Sequence, residues 1–594
     1  MVRGWSVFLS MAILCLVVFT LPSVSSEPEK LISNSADWKD VYSIMLFGSL
    51  EGKSVNFITS ARHSTILLYS ISKDIEVEVI SSRRNAFVAG YSSIFEGRGY
   101  ENVTEVIYQN VNLELADRLT GIRNFIIIDP SYGYNAISVG PYAVVSRSYV
   151  LFADDRTIGQ VMDFLGGIDV DKVLLYGQLD RSVKDELARY NPEVINEGDR
   201  FDNNIAIVKK FQEIVNKKQA ILTNGEFIEA SLLTGAEPVI FIGRTNVPDQ
   251  IRDYIKKSGI DVGVLIGNDL IGSATIIRRQ LGISVFVKFA QGSRTPSGSI
   301  APVEDLDRFP MPSYNLNLDI YAVAYNKGTS ALEVTFHNLV DLATYFKSAI
   351  SITDGADTII IGDPEPLFID GGEYKTVIYT ESSDGSPLRF QNDELEAKVL
   401  TIFGEGKKSL EFTVEKTLRV ESVTVLDDTD IEIMDLVYNR QKKQFEVQIE
   451  NTGVVDVYTQ VELVDLFVNG EAVTVASDGV TFLKKGEKKW IPVAIELAVE
   501  DVLDNEQVLV QAFYGAREIS LVKVKVKSFA FREKGLDYVT YGLIILVVIL
   551  LIAFIVLRKR RCPNCKAKNR KKATHCVKCG HPLKDVHRSQ QSGH

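Results

Sequence analysis

The chain has 594 residues, with 77 Asp or Glu against 65 Lys or Arg, so its formal net charge is −12. The length exceeds that of one domain, and the acidic residues indicate a well-solvated surface that does not favour nucleic acid as a partner. Its five Cys lie near the two ends, so the long region between them holds no disulfides.

The first 26 residues have the pattern of a secretory signal peptide. Arg3 supplies a positive charge, an apolar run continues to Leu21, and Val24-Ser25-Ser26 offers small residues at a cleavage site. The alternative is an uncleaved anchor helix. In either case we expect the chain that follows to be exported.

Residues 36–293 alternate short apolar strands with amphipathic helices, which predicts parallel sheets covered by helices. Residues 149–178 and 238–268 follow one order: strand, loop, helix, a Gly-Ile-Asp-Val stretch, and a strand that ends in Gly. A weaker copy begins near Val55. We therefore predict an α/β head of three repeated modules, at about 50–124, 125–217 and 218–293.

Certain Gly, Asp, Asn, Arg and Phe residues of the head stand at strand ends and before helices: Gly177, Gly198, Asp199, Arg200, Phe201, Gly267 and Asn268. In these residues the head resembles the cell-wall-binding repeat type 2 family, whose repeat contains a strand ending in Gly, a G-x-D-R-[YF] element and a strand leading to Asp or Asn. No residue separates Gly198 from Asp199 here, and the first and third modules lack the Asp-Arg element. The resemblance implies a triangular arrangement of three repeats that attaches surface proteins to wall polymers.

Asp199 and Arg200 have two interpretations that need no family. Arg200 could bind an anionic ligand, or the pair could fasten a loop to a neighbouring module through an ion pair. We favour the second interpretation.

The exported region contains no nucleophile elbow, no metalloprotease motif and no Cys nucleophile. Asp129 and Asp154-Asp155 follow predicted strands, where ligand sites of α/β sheets lie, but we interpret them as solvated acids. We predict that the chain is not an enzyme. Asn102-Val103-Thr104 is an N-glycosylation sequon, so Asn102 is a candidate glycosylation site.

Residues 294–317 are rich in Pro, Ser and Gly and predict an extended linker. Beyond it, residues 318–345 match residues 431–458 at a constant offset, which pairs Asn338 with Asn451. The alternating apolar pattern predicts two β-sandwiches, at 318–423 and 424–530. They resemble CARDB-like and related immunoglobulin-like modules of archaeal and bacterial surface proteins, which implies a stalk.

Residues 538–557 are apolar and uncharged, and Arg558-Lys559-Arg560-Arg561 follow. The length and the flanking charges predict a transmembrane helix with its basic side in the cytoplasm. We therefore expect a single-pass protein of the cell membrane, with its N-terminus outside and its C-terminus in the cytoplasm. The basic residues of the tail are expected to contact membrane lipid, and nucleic acid is the less favoured partner.

Cys562, Cys565, Cys576 and Cys579 form two Cys-x2-Cys pairs. Two such turns can close a tetrahedral shell around zinc, which predicts a structural Zn²⁺ ribbon in the tail, residues 558–594. This tail resembles the short zinc ribbons at the ends of archaeal membrane proteins.

The sequence thus predicts a multidomain, membrane-anchored cell-envelope protein. It combines a three-module α/β head, two all-β immunoglobulin-like sandwiches, one transmembrane helix and a small zinc ribbon. The head is expected to bind an envelope polymer, a glycan or a surface-layer protein. The alternative function is a surface sensor or assembly factor that signals to a cytosolic partner through the zinc ribbon.

Overall fold

The structure is a computed structural model that describes residues 29–288, 307–392, 394–424, 427–534, 546–547, 549–551, 560–570 and 572–583. The predicted signal peptide, residues 1–26, lies outside the described residues.

The head contains three four-stranded sheets in which every strand is parallel to its neighbours. In each sheet the strands lie in the order second, first, third, fourth along the chain. The strands of the first module are β1 Lys30–Asn34, β2 Ser54–Phe57, β3 Val77–Ser82 and β4 Val103–Tyr108. Those of the second module are β5 Asn124–Ile128, β6 Ser148–Phe152, β7 Lys172–Tyr176 and β8 Glu193–Ile195. The third module adds β9 Gln219–Thr223, the short β10 Phe227–Ile228, β11 Val239–Phe241, β12 Val262–Ile266 and β13 Ser284–Lys288.

The first module begins earlier than predicted. Strand β1 lies between β2 and β3, and the Cα partners run from Lys30 opposite Val77 to Asn34 opposite Ser81. The predicted starts, residue 50 for this module and residue 36 for the head, would leave out the strand on which the sheet is built. The strands of the other two modules extend from Asn124 to Ile195 and from Gln219 to Lys288.

Helices cover these sheets, and one hydrophobic core spans all three modules while a second, separate cluster lies within the first module. The α-helices of the head are Trp38–Glu51, Ala61–Leu67, Tyr91–Gly97, Val111–Arg118, Tyr134–Val145, Ile158–Gly166, Arg181–Leu187, Arg200–Ile214, Asp249–Ser258 and Ala274–Leu281. Local sequence fixes their ends. The first helix starts where the Asp37 carboxylate accepts a hydrogen bond from Lys39 N at 3.0 Å, and it ends at Gly52, whose φ of 69° suits a residue without a Cβ.

The second half of the predicted linker packs on the head. Strand β14, Phe309–Pro310, pairs antiparallel with β10, and Phe309 and Met311 are buried in the core of the head. Residues 294–306 lie outside the described residues. The described part of this segment is therefore fixed to the head, because its apolar side chains contribute to the core.

Two β-rich modules follow the α/β head, each with its own hydrophobic core. The first β module contains β15 Leu318–Asn326, β16 Ala331–Asn338, β17 Thr344–Asp354, β18 Asp357–Gly362, β19 Leu367–Ile369, β20 Tyr374–Tyr379, β21 Leu395–Gly404 and β22 Leu410–Val423. The second contains β23 Ile431–Asn439, β24 Gln444–Asn451, β25 Val457–Val468, β26 Glu471–Ala476, β27 Thr481–Leu483, β28 Lys488–Ala494, β29 Gln507–Gly515 and β30 Lys523–Ala530, with a helix at Val499–Asp504.

The two β modules share details of register. The pairing of β15 with β16 shifts between Ile320 and Ala322, and that of β23 with β24 shifts between Ile433 and Asp435. The repeated bulge agrees with the internal repeat seen in the sequence. The main strand order of the first β module is β18-β17-β21-β22-β15-β16-β20. The second β module divides into two sheets, with the orders β23-β24-β28 and β26-β25-β29-β30.

The structure corrects the predicted membrane location. In the part of the chain that it describes, no helix is long and apolar enough to cross a membrane. Within the predicted span, residues 546, 547 and 549–551 are helical, and the rest of 538–557 lies outside the described residues. A span needs about 20 residues, so the described helix does not support single-pass anchoring.

Candidate functional site

A cleft opens at the carboxyl ends of the two central strands of the second module, β5 and β7. Asp129 follows β5, and Gly177 and Gln178 follow β7. The chain runs from β5 to β6 at one edge of the sheet and from β7 to β8 at the other edge. The ends of β5 and β7 therefore leave a crevice, which is where α/β sheets bind ligands. Gly177 has a φ of 75°, and a Cβ built there would lie 2.7 Å from Asn135 Nδ2. Glycine therefore lets the backbone pass close to the cleft wall.

The cleft contains a cavity of about 310 Å³. The second module supplies most of its wall, while Tyr314 comes from the segment after β14 and Asn469 from the second β module. The second-module residues of the wall are Asp129, Ser131, Tyr132, Tyr134, Asn135, Gln178, Leu179, Asp180 and Arg200. A ligand here would contact three parts of the chain.

Three tyrosine rings form an aromatic wall in this cavity. The centroids of Tyr132 and Tyr314 are 4.4 Å apart, and the rings of Tyr134 and Tyr314 are stacked at 5.5 Å. Tyr314 N donates to Tyr134 Oη at 3.0 Å, which fixes the segment after β14 against the head. Burial raises the pKa of Tyr134 to about 12, so its hydroxyl stays protonated at neutral pH.

Arg200 joins the cleft to the first β module. Its guanidinium lies over the Tyr134 ring at 3.9 Å. Its Nη2 donates to Glu411 Oε1, and its Nε lies 3.2 Å from Glu405 Oε1. Arg200 and Glu411 are both almost completely buried, so each charge depends on the other for compensation.

The buried environment of Glu411 changes the pKa of its carboxyl group. Burial raises its pKa to about 7, and the Arg200 guanidinium offsets part of that rise. The surrounding backbone is also engaged, because Thr245 N and Asn246 N of the third module donate to the Glu411 carbonyl oxygen at 3.2 and 3.1 Å. Two modules of the head are thus attached to the same strand, β22.

Asp199 caps the helix Arg200–Ile214 by accepting hydrogen bonds from Phe201 N and Asp202 N, both at 2.8 Å. Its second carboxylate oxygen accepts from Gln250 Nε2 of the third module at 3.1 Å. The adjacent pair Asp199-Arg200 therefore contacts two neighbouring modules.

The other acids at strand ends have local partners. Asp154 Oδ1 accepts from Arg156 N, Thr157 N and Thr157 Oγ1 at 3.0, 2.8 and 2.7 Å. Burial alone would raise its pKa, but the bonds from Thr157 and Arg156 outweigh burial and lower it. Asp129 Oδ1 accepts from Ser131 N at 2.7 Å. Both carboxylates therefore stabilise the turns that follow their strands by accepting hydrogen bonds from backbone N–H groups.

A larger cavity of about 990 Å³ continues from the cleft to both β modules. It shares Asn135, Gln178, Arg200 and Tyr314 with the smaller one. Leu342, Ala343 and Glu405 line it from the first β module, and Asp465 and Phe467 line it from the second. No sequence pattern indicated this cavity, because residues far apart in the chain form it.

Ion pairs connect the three bodies around these cavities. Arg181 Nη1 of the second module lies 2.7 Å from Glu500 Oε2 of the second β module. Arg517 Nη2 of the second β module lies 2.7 Å from Glu333 Oε2 of the first β module. With the Arg200–Glu411 pair, these contacts close a ring of head, first β module and second β module. The β modules are therefore docked on the head.

The four cysteines of the tail are brought together. Cys562 Sγ lies 3.6 Å from Cys579 Sγ, Cys565 Sγ lies 3.5 Å from Cys576 Sγ, and all four sulfurs lie within 4.8 Å of one another. A tetrahedral ion with bonds of about 2.3 Å to sulfur requires separations of roughly 3.8 Å, so this donor set fits a metal ion.

Two similar turns present these sulfurs. Lys566 N donates to the Cys562 carbonyl at 2.9 Å, and Gly580 N donates to the Cys576 carbonyl at 2.8 Å. The short strands Arg560–Arg561 (β31) and Lys568–Asn569 (β32) pair beside the first turn. Each Cys-x2-Cys pair thus forms one half of a four-sulfur site.

Asn102, the predicted glycosylation site, is exposed just before β4. Its modification remains a prediction.

Comparisons with known proteins give limited similarity. No family model matches the sequence, and no curated protein matches it. Among solved structures, Cwp8 from Clostridium difficile has a TM-score of 0.37 and 13% identity over 43% of this chain and 48% of its own. Cwp6 from Clostridium difficile has a TM-score of 0.31 and 11% identity over 44% of this chain and 41% of its own. The chain thus spans less than half the length of either protein, and these values assign it neither a family nor a function.

Proposed function

We propose that this chain is a cell-envelope protein whose α/β head binds an envelope glycan. The observation that carries the proposal is the cavity at the carboxyl ends of β5 and β7, with its wall of three tyrosine rings. Aromatic faces beside a few fixed polar groups suit a ligand with apolar ring faces and polar edges, as sugars have. Other envelope polymers and a surface-layer protein remain outcomes of the test.

Binding, and not catalysis, is the role that the carboxylates favour. Asp129 and Asp154 are occupied by hydrogen bonds to their own turns, and the pKa of Asp154 is lowered, not raised as a general acid requires. We further propose that the four cysteines hold a structural Zn²⁺ ion. The support is a closed set of four cysteine sulfurs, which would leave no open position for substrate on a tetrahedral ion.

The function is tested by sedimentation with envelopes isolated from the organism that makes the protein. The purified chain is expected to pellet with them, and Tyr132→Ala is expected to weaken binding at least about fivefold, since a buried aromatic contact contributes more than about 1 kcal/mol. Tyr69→Ala is the matched control, because Tyr69 is 80% exposed in the first module, outside the cleft. Equal binding of the wild type and Tyr132→Ala would contradict this site.

A further inference from the structure

A turn of the second β module reaches the smaller cavity of the head. Asn469 and Gly470 connect β25 to β26, and their φ values are 53° and 87°. A two-residue hairpin turn with a positive φ at both central residues favours the pair Asn-Gly. Asn469 lines the cavity of about 310 Å³, although all the other lining residues belong to the head and the segment after β14. The tip of this hairpin therefore lies where a ligand of the head would bind.

The hairpin tip is fixed by the helix Val499–Asp504 and the residue that follows it. Asn469 N donates to Asp501 Oδ1 at 2.9 Å, and Asp501 is almost completely buried. Phe467 N donates to Asn505 Oδ1 at 2.9 Å, and Asn505 Nδ2 donates to Phe467 O at 2.7 Å. The position of Asn469 therefore follows the position of this helix.

Arg181 holds the same helix on the head. Its Nη1 lies 2.7 Å from Glu500 Oε2. Its Nη2 lies 3.9 Å from Asp501 Oδ1, which is the atom that accepts the hydrogen bond from Asn469 N. Arg181 directly follows Asp180, which lines the cavity. Docking of the second β module on the head therefore brings Asn469 to the cavity.

The internal repeat shows that this helix is not required by the fold of a β module. Strands β20 and β28 correspond, because they pair with β16 and β24, and β21 and β29 correspond, because they pair with β17 and β25. Between β28 and β29 lies the helix Val499–Asp504, whereas residues 380–392 and 394, between β20 and β21, contain no helix. The second β module thus differs from the first at the element that contacts the head.

Three side-chain amides line the smaller cavity, from Asn135, Gln178 and Asn469. Gln178 and Asn469 are exposed and Asn135 is half-buried, so a ligand can reach them. Gln178 Oε1 accepts from Asn196 Nδ2 at 2.9 Å, whereas no described residue bonds to the amide of Asn135 or Asn469. An amide presents a donor and an acceptor side by side, which matches two adjacent hydroxyl groups of a sugar.

We propose, on the basis of the glycan-binding function above, that Asn469 of the second β module and Asn135 of the head bind the glycan together. The ligand is a sugar with two adjacent free hydroxyl groups. Arg181 is a positioning residue, because it acts on the ligand through the docked helix and Asn469. Ligand binding therefore strengthens docking by the same factor by which docking strengthens ligand binding.

The first test measures the apparent Kd of the purified full chain for isolated envelopes, by sedimentation over a series of envelope concentrations. Asn469→Gly removes the amide, and glycine readily adopts the φ of 53°. It is expected to raise the Kd roughly fivefold, the effect of one lost hydrogen bond to the ligand. Asn191→Gly is the matched control, because Asn191 has a φ of 47°, is exposed and lines neither cavity.

The second test examines the positioning role with a double-mutant cycle. Arg181→Met is expected to raise the Kd, and adding Asn469→Gly to it should raise the Kd no further, because both changes remove the same contact. Arg189→Met is the control, since Arg189 is an exposed cation of the same module that lies over the Tyr190 ring. Effects of Arg181→Met and Asn469→Gly that multiply in the double variant would overturn the positioning role.

The third test identifies the ligand class by treating the envelopes with periodate, which cleaves the carbon–carbon bond between adjacent hydroxyl groups. Wild-type binding is expected to be lost after this treatment. Envelopes that receive periodate already consumed by excess ethylene glycol are the control, and they should bind the protein as before.

The remaining outcomes separate this proposal from the function on which it rests. Wild-type protein that does not pellet with untreated envelopes would overturn both. Pelleting that Asn469→Gly leaves unchanged would overturn the role of the second β module and keep the function. Binding that is weakened by Asn469→Gly but survives periodate would overturn the sugar with adjacent hydroxyl groups.

Discussion

Arg200 and Glu411 form a buried ion pair across 211 residues of sequence, between a helix of the second module and strand β22 of the first β module. The pair lies beside the tyrosine wall, because the guanidinium also covers the Tyr134 ring. The position of the first β module and the shape of the cleft therefore depend on the same side chain.

We expect Glu411→Gln to change how stability depends on pH. The folded pKa of about 7 lies above the ordinary 4.5, so between these values the folded protein keeps a proton that the unfolded chain has lost. The contribution of this group to the free energy of unfolding therefore falls by at most roughly 3 kcal/mol as the pH rises from 4.5 to about 7. Above pH 7 the contribution stays constant. The measurement is the Tm at pH 5 and pH 8. The decrease in Tm from pH 5 to pH 8 should be smaller in Glu411→Gln than in the wild type. The control is Glu415→Gln, which removes a half-exposed carboxylate of the same strand and should leave the decrease unchanged. Parallel profiles for wild type and Glu411→Gln would contradict the buried position of this group.

We expect Arg200→Met to destabilise the docked arrangement at pH 8 by about 3–5 kcal/mol, because Glu411 then either carries a buried charge without its partner or must take up a proton. Urea denaturation at pH 8 measures the free energy of unfolding of the wild type and of the variant. Arg419→Met is the matched control, since Arg419 and Glu394 form an exposed pair whose loss costs about 1 kcal/mol or less. Equal effects of the two substitutions would show that the Arg200 pair is solvated.

We expect Gly177→Ala to weaken envelope binding more than it lowers the Tm. The φ of 75° is unfavourable for alanine, and the new Cβ would press on Asn135 in the cleft wall. Sedimentation and thermal unfolding are compared in the same preparations. Gly259→Ala, with a similar φ of 74° and no atom within 4 Å of the new Cβ, is the control for backbone strain alone. Equal loss of binding in both variants would argue against a contact in the cleft.

We expect Asn338→Leu and Asn451→Leu each to destabilise its own β module by about 1–3 kcal/mol or more, because each removes donors from buried carbonyl groups. Asn338 Nδ2 donates to Leu342 O and Asp370 O at 2.8 and 3.0 Å. Asn451 Nδ2 donates to Val455 O and Leu483 O at 2.9 and 3.3 Å. Urea unfolding measures both effects, with the exposed Asn315→Ala as control. A neutral result for either would mean that water replaces its bonds.

We expect the purified chain to contain one tightly bound zinc ion, and Cys562→Ser to lose most of it, because the remaining sulfurs cannot close the tetrahedral shell. Elemental analysis after dialysis measures the content. His575→Ala is the control, because its ring is exposed and is not in the four-sulfur group. Full zinc content in Cys562→Ser would contradict the four-cysteine site.

The sequence predicted those features that local patterns determine. Alternating strands and helices indicated parallel sheets, and the spacing of the four cysteines indicated a metal site, because both depend on residues near one another in the chain. The offset that relates Asn338 to Asn451 indicated the repeat of the β modules. Strand β1 was missed because Lys-Leu-Ile-Ser-Asn contains only two strongly apolar residues.

The docking of the modules could not be predicted. Glu411 is one acid among many in an alternating strand, and its burial results from the third module and Arg200 approaching it. The segment with Phe309 and Tyr314 had the composition of a linker, since its Pro residues dominate the pattern. Its aromatic residues become informative only when the head that receives them is known.

The ring of ion pairs among head, first β module and second β module has a mechanical consequence. If a pulling force separates Arg181 from Glu500, the Arg200–Glu411 and Arg517–Glu333 contacts still hold the two broken partners close together. Their effective concentration then stays in roughly the millimolar range, so the contact re-forms once the load falls. A straight row of modules would extend at its weakest joint, whereas this closed arrangement must lose two joints before it opens.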